Sequence, residues 1–127
     1  MFEITDYKSP KYHYFTAYDG IKAVGGSTVE VSENMHYTFK EYCKADKNKC
    51  AKIIYVQTKA SRRGEGVATT ILNRIIERYK DCDIFLQVIP LDKTNTVATL
   101  TSFYTKFGFK RCETAGILPT MVRPAEI

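Results

Sequence analysis

Between residues 56 and 68 a β-rich run ends in a basic, glycine-punctuated turn, Ser61-Arg62-Arg63-Gly64-Glu65-Gly66, which passes straight into an amphipathic helix opening with Val67 and Ala68. This is chemistry for holding phosphate. Gly64 and Gly66 let backbone N–H groups approach a ligand without a Cβ in the way. The helix N-terminus adds unsatisfied donors and partial positive charge, and Arg62 and Arg63 add full charge. A pyrophosphate suits such a cradle. The same letters also describe an ordinary tight strand-to-helix turn with surface arginines, so the flanking elements have to decide.

Those elements follow from periodicity. Residues 53–56 (Ile-Ile-Tyr-Val) read as a buried central strand ending at the turn. Beyond it, Val67, Ala68, Ile71, Leu72, Ile75, Ile76 and Tyr79 share one helical face, with Thr70, Asn73, Arg74, Glu77 and Arg78 on the other. Asp81-Cys82-Asp83 breaks that helix, and residues 84–89 form a strand stopped by Pro90. Strand, turn, helix and strand make a βαβ unit with the turn at the carboxyl edge of a sheet, where ligands of open α/β sheets bind.

Upstream, residues 2–9 predict a short strand and residues 11–18 a second one. Asp19-Gly20 is a turn, and residues 21–31 resume an extended pattern interrupted by Gly25-Gly26. That glycine pair fits a bulge, a twisted hairpin, or a place where substrate meets backbone. Ser32 stands as N-cap before a helix over residues 33–45 that carries Met35, Tyr37, Phe39 and Tyr42, and residues 44–52 form a basic loop. Downstream, Asn95 opens a helix running toward Phe107, Gly108 caps it, and residues 109–113 and 119–123 are strands.

With 127 residues the chain suits a single α/β domain over 1–127. It is 44% hydrophobic and 26% charged, contains no apolar run that could span a bilayer, and begins without the pattern of a signal peptide, so a cytoplasmic location is expected. Cys43, Cys50, Cys82 and Cys112 form no Cys-x-x-Cys pair and have no histidines at ligand spacing. No metal site is expected, and the thiols are expected reduced, a Cys43–Cys50 pair being disfavoured in the cytosol. A net charge of +5 and a pI near 9.0 favour anionic partners. The basic residues are spread out and no nucleic-acid-binding signature is present, so nucleic acid is not the expected partner, and a polyanionic cofactor or an acidic protein surface accounts for the charge equally well.

The order of elements and these residues together resemble the GNAT family of N-acetyltransferases, over about residues 14–123. The resemblance implies the acyl-CoA N-acyltransferase fold, a mixed central sheet flanked by helices, here minimal: reduced N-terminal helices and a helical insertion before the central strand. In that family acetyl-CoA lies where the strand before the glycine turn splays from the next parallel strand, its pyrophosphate on a turn written Arg/Gln-x-x-Gly-x-Gly/Ala. The matching turn here carries Ser61 at the first position, with Gly64 and Gly66 in place. Val56 matches the position whose backbone pairs with the pantetheine arm, and Thr58 lies two residues on. Asn95-Thr96-Val97-Ala98 is similar to the family's Asn-x-x-Ala, and Phe103-Tyr104-Thr105-Lys106-Phe107-Gly108-Phe109 to its Leu-Tyr-x-x-x-Gly-Phe.

The resemblance implies direct attack of an amine on the thioester, with a backbone N–H near Val56 polarising the carbonyl and Tyr104 protonating the departing thiolate. Tyr104 also reads as a core aromatic beside Phe103 and Phe107. The strand before the turn offers no carboxylate, so no general base is assigned. Glu30, Glu33, His36 and His13 are candidates, each reading more simply as solvated surface, and Glu65 suits pairing with an arginine. The acceptor, a protein, peptide or small amine, is left open, as is a monomer or homodimer. The competing expectation is a catalytically idle domain of the same fold that binds CoA or a protein partner, motivated by Ser61 and the missing carboxylate.

Overall fold

The computed structural model describes residues 2–31, 50–90, 95–112 and 119–126. Alternation dictates its first half. In β2 (Tyr12–Asp19), His13, Phe15 and Ala17 are buried while Tyr12, Tyr14 and Thr16 point the other way, the period-2 pattern of a strand with one covered face. It pairs antiparallel with β1 (Glu3–Lys8) on one side and β3 (Lys22–Glu30) on the other, and β3 pairs antiparallel with β4 (Cys50–Thr58). The chain then forms α1 (Val67–Arg78), β5 (Asp83–Gln87), α2 (Val97–Thr105), β6 (Lys110–Cys112) and β7 (Thr120–Arg123). The seven strands among the described residues join one mixed sheet ordered β1-β2-β3-β4-β5-β7-β6, in which β4 and β5 pair in parallel.

The apolar face read from the sequence is the one α1 buries: Val67, Ile71, Leu72 and Ile75 are at most 1% exposed. They meet Phe15, Ala17, Val29 and Ile53 from the sheet in one core. Gly25 lets the helix come this close. A Cβ there would lie 2.6 Å from Gln57 O and 2.8 Å from Val67 Cγ1, both inside any van der Waals contact. Gly25 thus serves the approach of a helix, a use that none of the sequence readings named.

His13 is a second departure. It is 1% exposed, with Nε2 2.6 Å from Asp6 Oδ2 and Nδ1 2.5 Å from Tyr79 Oη. A buried histidine keeps both ring nitrogens satisfied, and here that joins β1, β2 and the end of α1. The expectation of a solvated histidine failed because residue 13 is in phase with Phe15 and Ala17, which fixes its face. Cys50, expected as a reduced thiol, is disulfide-bonded at the first residue of β4, while Cys82 and Cys112 are in no disulfide. Folding brings a second thiol to Cys50, a proximity that the expected redox compartment says nothing about.

Thr96, not Asn95, caps α2, its hydroxyl accepting from Thr99 N at 3.1 Å. The helix expected over residues 33–45 and most of the basic loop lie outside the described residues. Among those described, no helix is long and apolar enough to cross a membrane.

Because Gly25 has no room for a methyl group, Gly25→Ala is expected to cost about 1–3 kcal/mol of stability, the range for overpacking a filled contact. Urea unfolding followed by circular dichroism checks this; an unchanged midpoint would mean that α1 does not rest on the glycine backbone.

Candidate functional site

The site begins where two strands part. β4 and β5 pair from Cys50↔Asp83 to Ile53↔Leu86 and no further. Past that point β4 continues to Thr58 with β3 alone beside it, Tyr55 opposite Thr28 and Thr58 opposite Gly25. The register shifts between Thr28 and Val29, leaving Ile54 as an extra residue on β4. Such a bulge bends a strand and sharpens its twist, which carries β4 away from β5. Among the described residues, the edge of residues 54–58 that faces the gap has no ladder partner.

A cavity of about 650 Å³ occupies the gap. One wall is the open edge of β4, including Val56 and Thr58, and the opposite wall is Leu86, Gln87 and Ile89 at the carboxyl end of β5. Its floor is the glycine turn and the first turn of α1: Arg63, Gly64, Gly66, Val67, Ala68 and Thr69. Asn95 and α2, through Thr99, Leu100, Phe103 and Tyr104, close the far side.

The turn owes its shape to its glycines. Gly64 and Gly66 have φ of +81° and +85°, a region that side chains other than glycine seldom enter. Nothing lies within 4 Å of where their Cβ atoms would stand, so conformation and not crowding requires them. Gly66 is the N-cap of α1 and brings no capping side chain, and no acidic residue stands in the first turn. The first intrahelical bond is Thr70 N to Gly66 O at 3.0 Å, which leaves the N–H groups of the preceding residues without helical acceptors at the cavity floor. Together with the helix dipole this arrangement suits an anion.

The two arginines divide their work. Arg63 lines the cavity. Arg62 turns away, binding both oxygens of Glu65 (Nε to Oε2, 2.9 Å) and reaching Asp19 Oδ2 at 2.7 Å. Its charge holds the carboxyls of Asp19 and Glu65 below their ordinary values, chiefly through these hydrogen bonds. Arg62 therefore ties the cradle to the end of β2, and Glu65 pairs with an arginine as its position suggested. Ser61 is exposed within the 3-10 turn Ala60–Arg62. Ser61, Arg62 and Glu65 do not line the cavity, whereas Val56, Thr58, Arg63, Gly64, Gly66, Val67, Ala68, Asn95 and Tyr104 do.

Tyr104 packs edge-on against Phe103 and Phe109, with centroids 5.4 and 5.9 Å away. Burial pushes its phenol above the ordinary value of 10.0, so it is a protonated donor at neutral pH. Among the described residues its hydroxyl makes no hydrogen bond. Leu100 precedes Phe103 by three residues and Tyr104 by four, a helical spacing that could have flagged Leu100 and Phe103 as cavity residues beside Tyr104. Gln87 and Ile89 were equally findable as the exit of a parallel strand.

No general base emerges. Glu30 sits on β3, 4.0 Å from Lys11 Nζ and away from the cavity. His13 is enclosed beneath α1, and Glu33 and His36 lie outside the described residues. The described residues lining the cavity include no carboxylate and form no cluster suited to a metal.

A family model for the Acetyltransferase (GNAT) family matches residues 1–109. No curated protein matches the sequence. Among solved structures, an acetyltransferase from Thermus thermophilus is similar with a TM-score of 0.67 at 16% identity, over 91% of this chain and 66% of that one. Arabidopsis thaliana NAA60, solved with a bisubstrate analogue, gives 0.69 at 13% identity, over 90% and 75%. PaiA N-acetyltransferase from Thermoplasma acidophilum, solved with coenzyme A, gives 0.61 at 16%, over 90% and 61%. At these identities the likeness is one of fold. This chain spans just under two thirds of the Thermus and Thermoplasma proteins.

The tether from Arg62 has a definite pH signature. Asp19 and Glu65 have lowered folded-state pKa values, so their contribution is complete above the unfolded carboxyl values and is lost as pH falls through the lowered ones. Carboxyl carbon NMR titration should place both midpoints below the reference values of 3.8 and 4.5. Arg62→Gln should return both upward; midpoints insensitive to that change would show that the tether does not form.

Proposed function

The chain belongs to the GNAT acetyltransferase family, and we propose that it is an acetyl-CoA-dependent N-acetyltransferase acting on an amine by direct transfer. The observation that carries this is the coincidence at one cavity of a strand edge without a ladder partner among the described residues, an uncapped helix N-terminus behind two positive-φ glycines, and a half-buried protonated phenol. These are the features a CoA thioester needs. The free edge of residues 54–58 offers strand-like hydrogen bonds to the amides of a pantetheine arm, with Val56 and Thr58 on the wall. The first turn of α1, with Val67 and Ala68, receives the pyrophosphate, and Arg63 adds charge. Asn95 stands at the far side, by the start of α2.

Acetyl-CoA supplies an activated thioester carbonyl. Val56 N–H stabilises the negative charge that gathers on the carbonyl oxygen as the amine nitrogen bonds to carbon. Tyr104 holds a proton through its raised pKa and delivers it to the sulfur as the C–S bond breaks. The phenolate recovers a proton from the surplus on the new amide nitrogen, by way of solvent. No residue is assigned to deprotonate the incoming ammonium. The cavity side chains are mostly apolar or neutral, so the acceptor presents its amine without needing a carboxylate partner inside. A soluble, cytoplasmic enzyme working as monomer or homodimer completes the proposal.

Calorimetric titration with acetyl-CoA, followed by mass spectrometry of amine and peptide panels, tests it; absence of saturable binding would overturn it. Ala68→Glu discriminates further. A carboxylate at this position favours the helix dipole yet repels a pyrophosphate, so thermal stability should hold while acetyl-CoA binding disappears. Tyr104→Phe should lower turnover by about 10²- to 10⁴-fold, the usual contribution of a general acid, with CoA affinity kept. Binding without any turnover in the parent chain would instead favour an idle CoA-binding domain.

A further inference from the structure

Ser27 stands on β3 opposite Val56 and is 2% exposed. Its Oγ donates a 2.6 Å hydrogen bond to the carbonyl oxygen of Tyr55. The bond falls one residue beyond the Ile54 bulge, at the place where β4 leaves β5. A trans peptide is planar, and its C=O and N–H point in opposite directions; no peptide bond in the described chain is cis. The 55–56 peptide, with its carbonyl held toward β3, therefore directs Val56 N–H toward the other edge of β4, into the cavity. The bulge at Ile54 interrupts the ladder immediately before this peptide, and among the described residues β4 has no strand on its far side here. A buried hydroxyl on the carbonyl adds a second constraint from the one side available.

We propose that Ser27 is a positioning residue for acyl transfer: its hydroxyl fixes the 55–56 peptide so that Val56 N–H is aimed at the thioester carbonyl. The inference rests on the acetyl-CoA reading of the site. Preorganised donors stabilise developing charge because they need not reorient during reaction. Loss of the hydroxyl frees the peptide to tilt while leaving Val56, the glycine turn and the helix terminus in place. The defect should therefore appear at the carbonyl and not in cofactor binding.

The decisive measurement is difference infrared spectroscopy of acetyl-CoA, ¹³C-labelled at the acetyl carbonyl, bound to the full chain. In the parent protein the thioester stretch should move to lower frequency than in free acetyl-CoA. In Ser27→Ala the shift should shrink, with the affinity for CoA, which lacks the carbonyl, unchanged; Ser27→Thr should restore it. Turnover should fall roughly 10- to 100-fold in the alanine variant, less than for outright removal of an oxyanion donor, and in kcat rather than KM. Should Ser27→Ala not fold, Ser27→Cys, with its weak S–H donor, is read in its place and should give an intermediate shift. A shift equal to that of the parent in the folded variant overturns the role of Ser27 while leaving the donor site standing. No binding of acetyl-CoA or CoA by the parent overturns the donor site itself, and the inference with it.

Discussion

Two parallel strands that share a few residue pairs and then diverge are the constraint on which this molecule turns. A strand edge with unpaired N–H and C=O groups is costly inside a protein and invites a partner. β4 tolerates such an edge because the bulge at Ile54 swings it to the rim of a cavity and because β3 supports it from behind through Thr58. The helix that follows must start at once, within reach of the same rim. Gly25 makes that possible by letting Val67 and Ile71 rest on bare backbone. Strand edge and helix terminus are thus brought to one space by sterics, before any charged side chain is considered.

Electrostatics then refines what sterics placed. The helix terminus carries no capping side chain and no acidic residue in its first turn, leaving its donors for an external anion. Arg62 appears at first to be a second phosphate ligand, yet it is neutralised by Asp19 and Glu65. Exposed ion pairs of this kind add little stability singly, but this one holds the glycine turn against the neighbouring hairpin. At the opposite end of the cavity the desolvated phenol of Tyr104 keeps its proton. One end of the space suits a stable anion and the other a group that gives up a proton only to a strong base.

What could be read from the sequence was what is local. The α1 stripe, the strand alternation around Phe15, and the glycine turn all express periods or dihedral needs of their own segments, and each lies where the letters put it. Tyr104 stood out through its aromatic-glycine context. The misses involve partners distant in sequence. Arg62 was read with its neighbours, but the orientation of its guanidinium depends on Asp19, 43 residues away. His13 looked like surface until Tyr79 covered it. Gly25 was read as part of a bulge, a twisted hairpin or a substrate contact because nothing in a strand's own sequence announces that a helix will land on it. The Thr96 cap was missed by one residue, the usual uncertainty of helix ends.

The polar ties at the two ends of α1 land on the same strand. Arg62, just ahead of the helix, holds Asp19 at the end of β2, and Tyr79, just after it, meets His13 near the start. Six strand residues span about 20 Å and a twelve-residue helix about 18 Å, so the two elements are matched in length between their pins. Neither end can lift without breaking a contact to the same partner. In amide hydrogen exchange, β1, β2 and α1 then form one cooperative unit that opens together, while the short β6 and β7 at the opposite edge of the sheet exchange on their own schedule. The glycine turn sits beside the first of these units, so the cradle is anchored to a helix pinned at both of its ends.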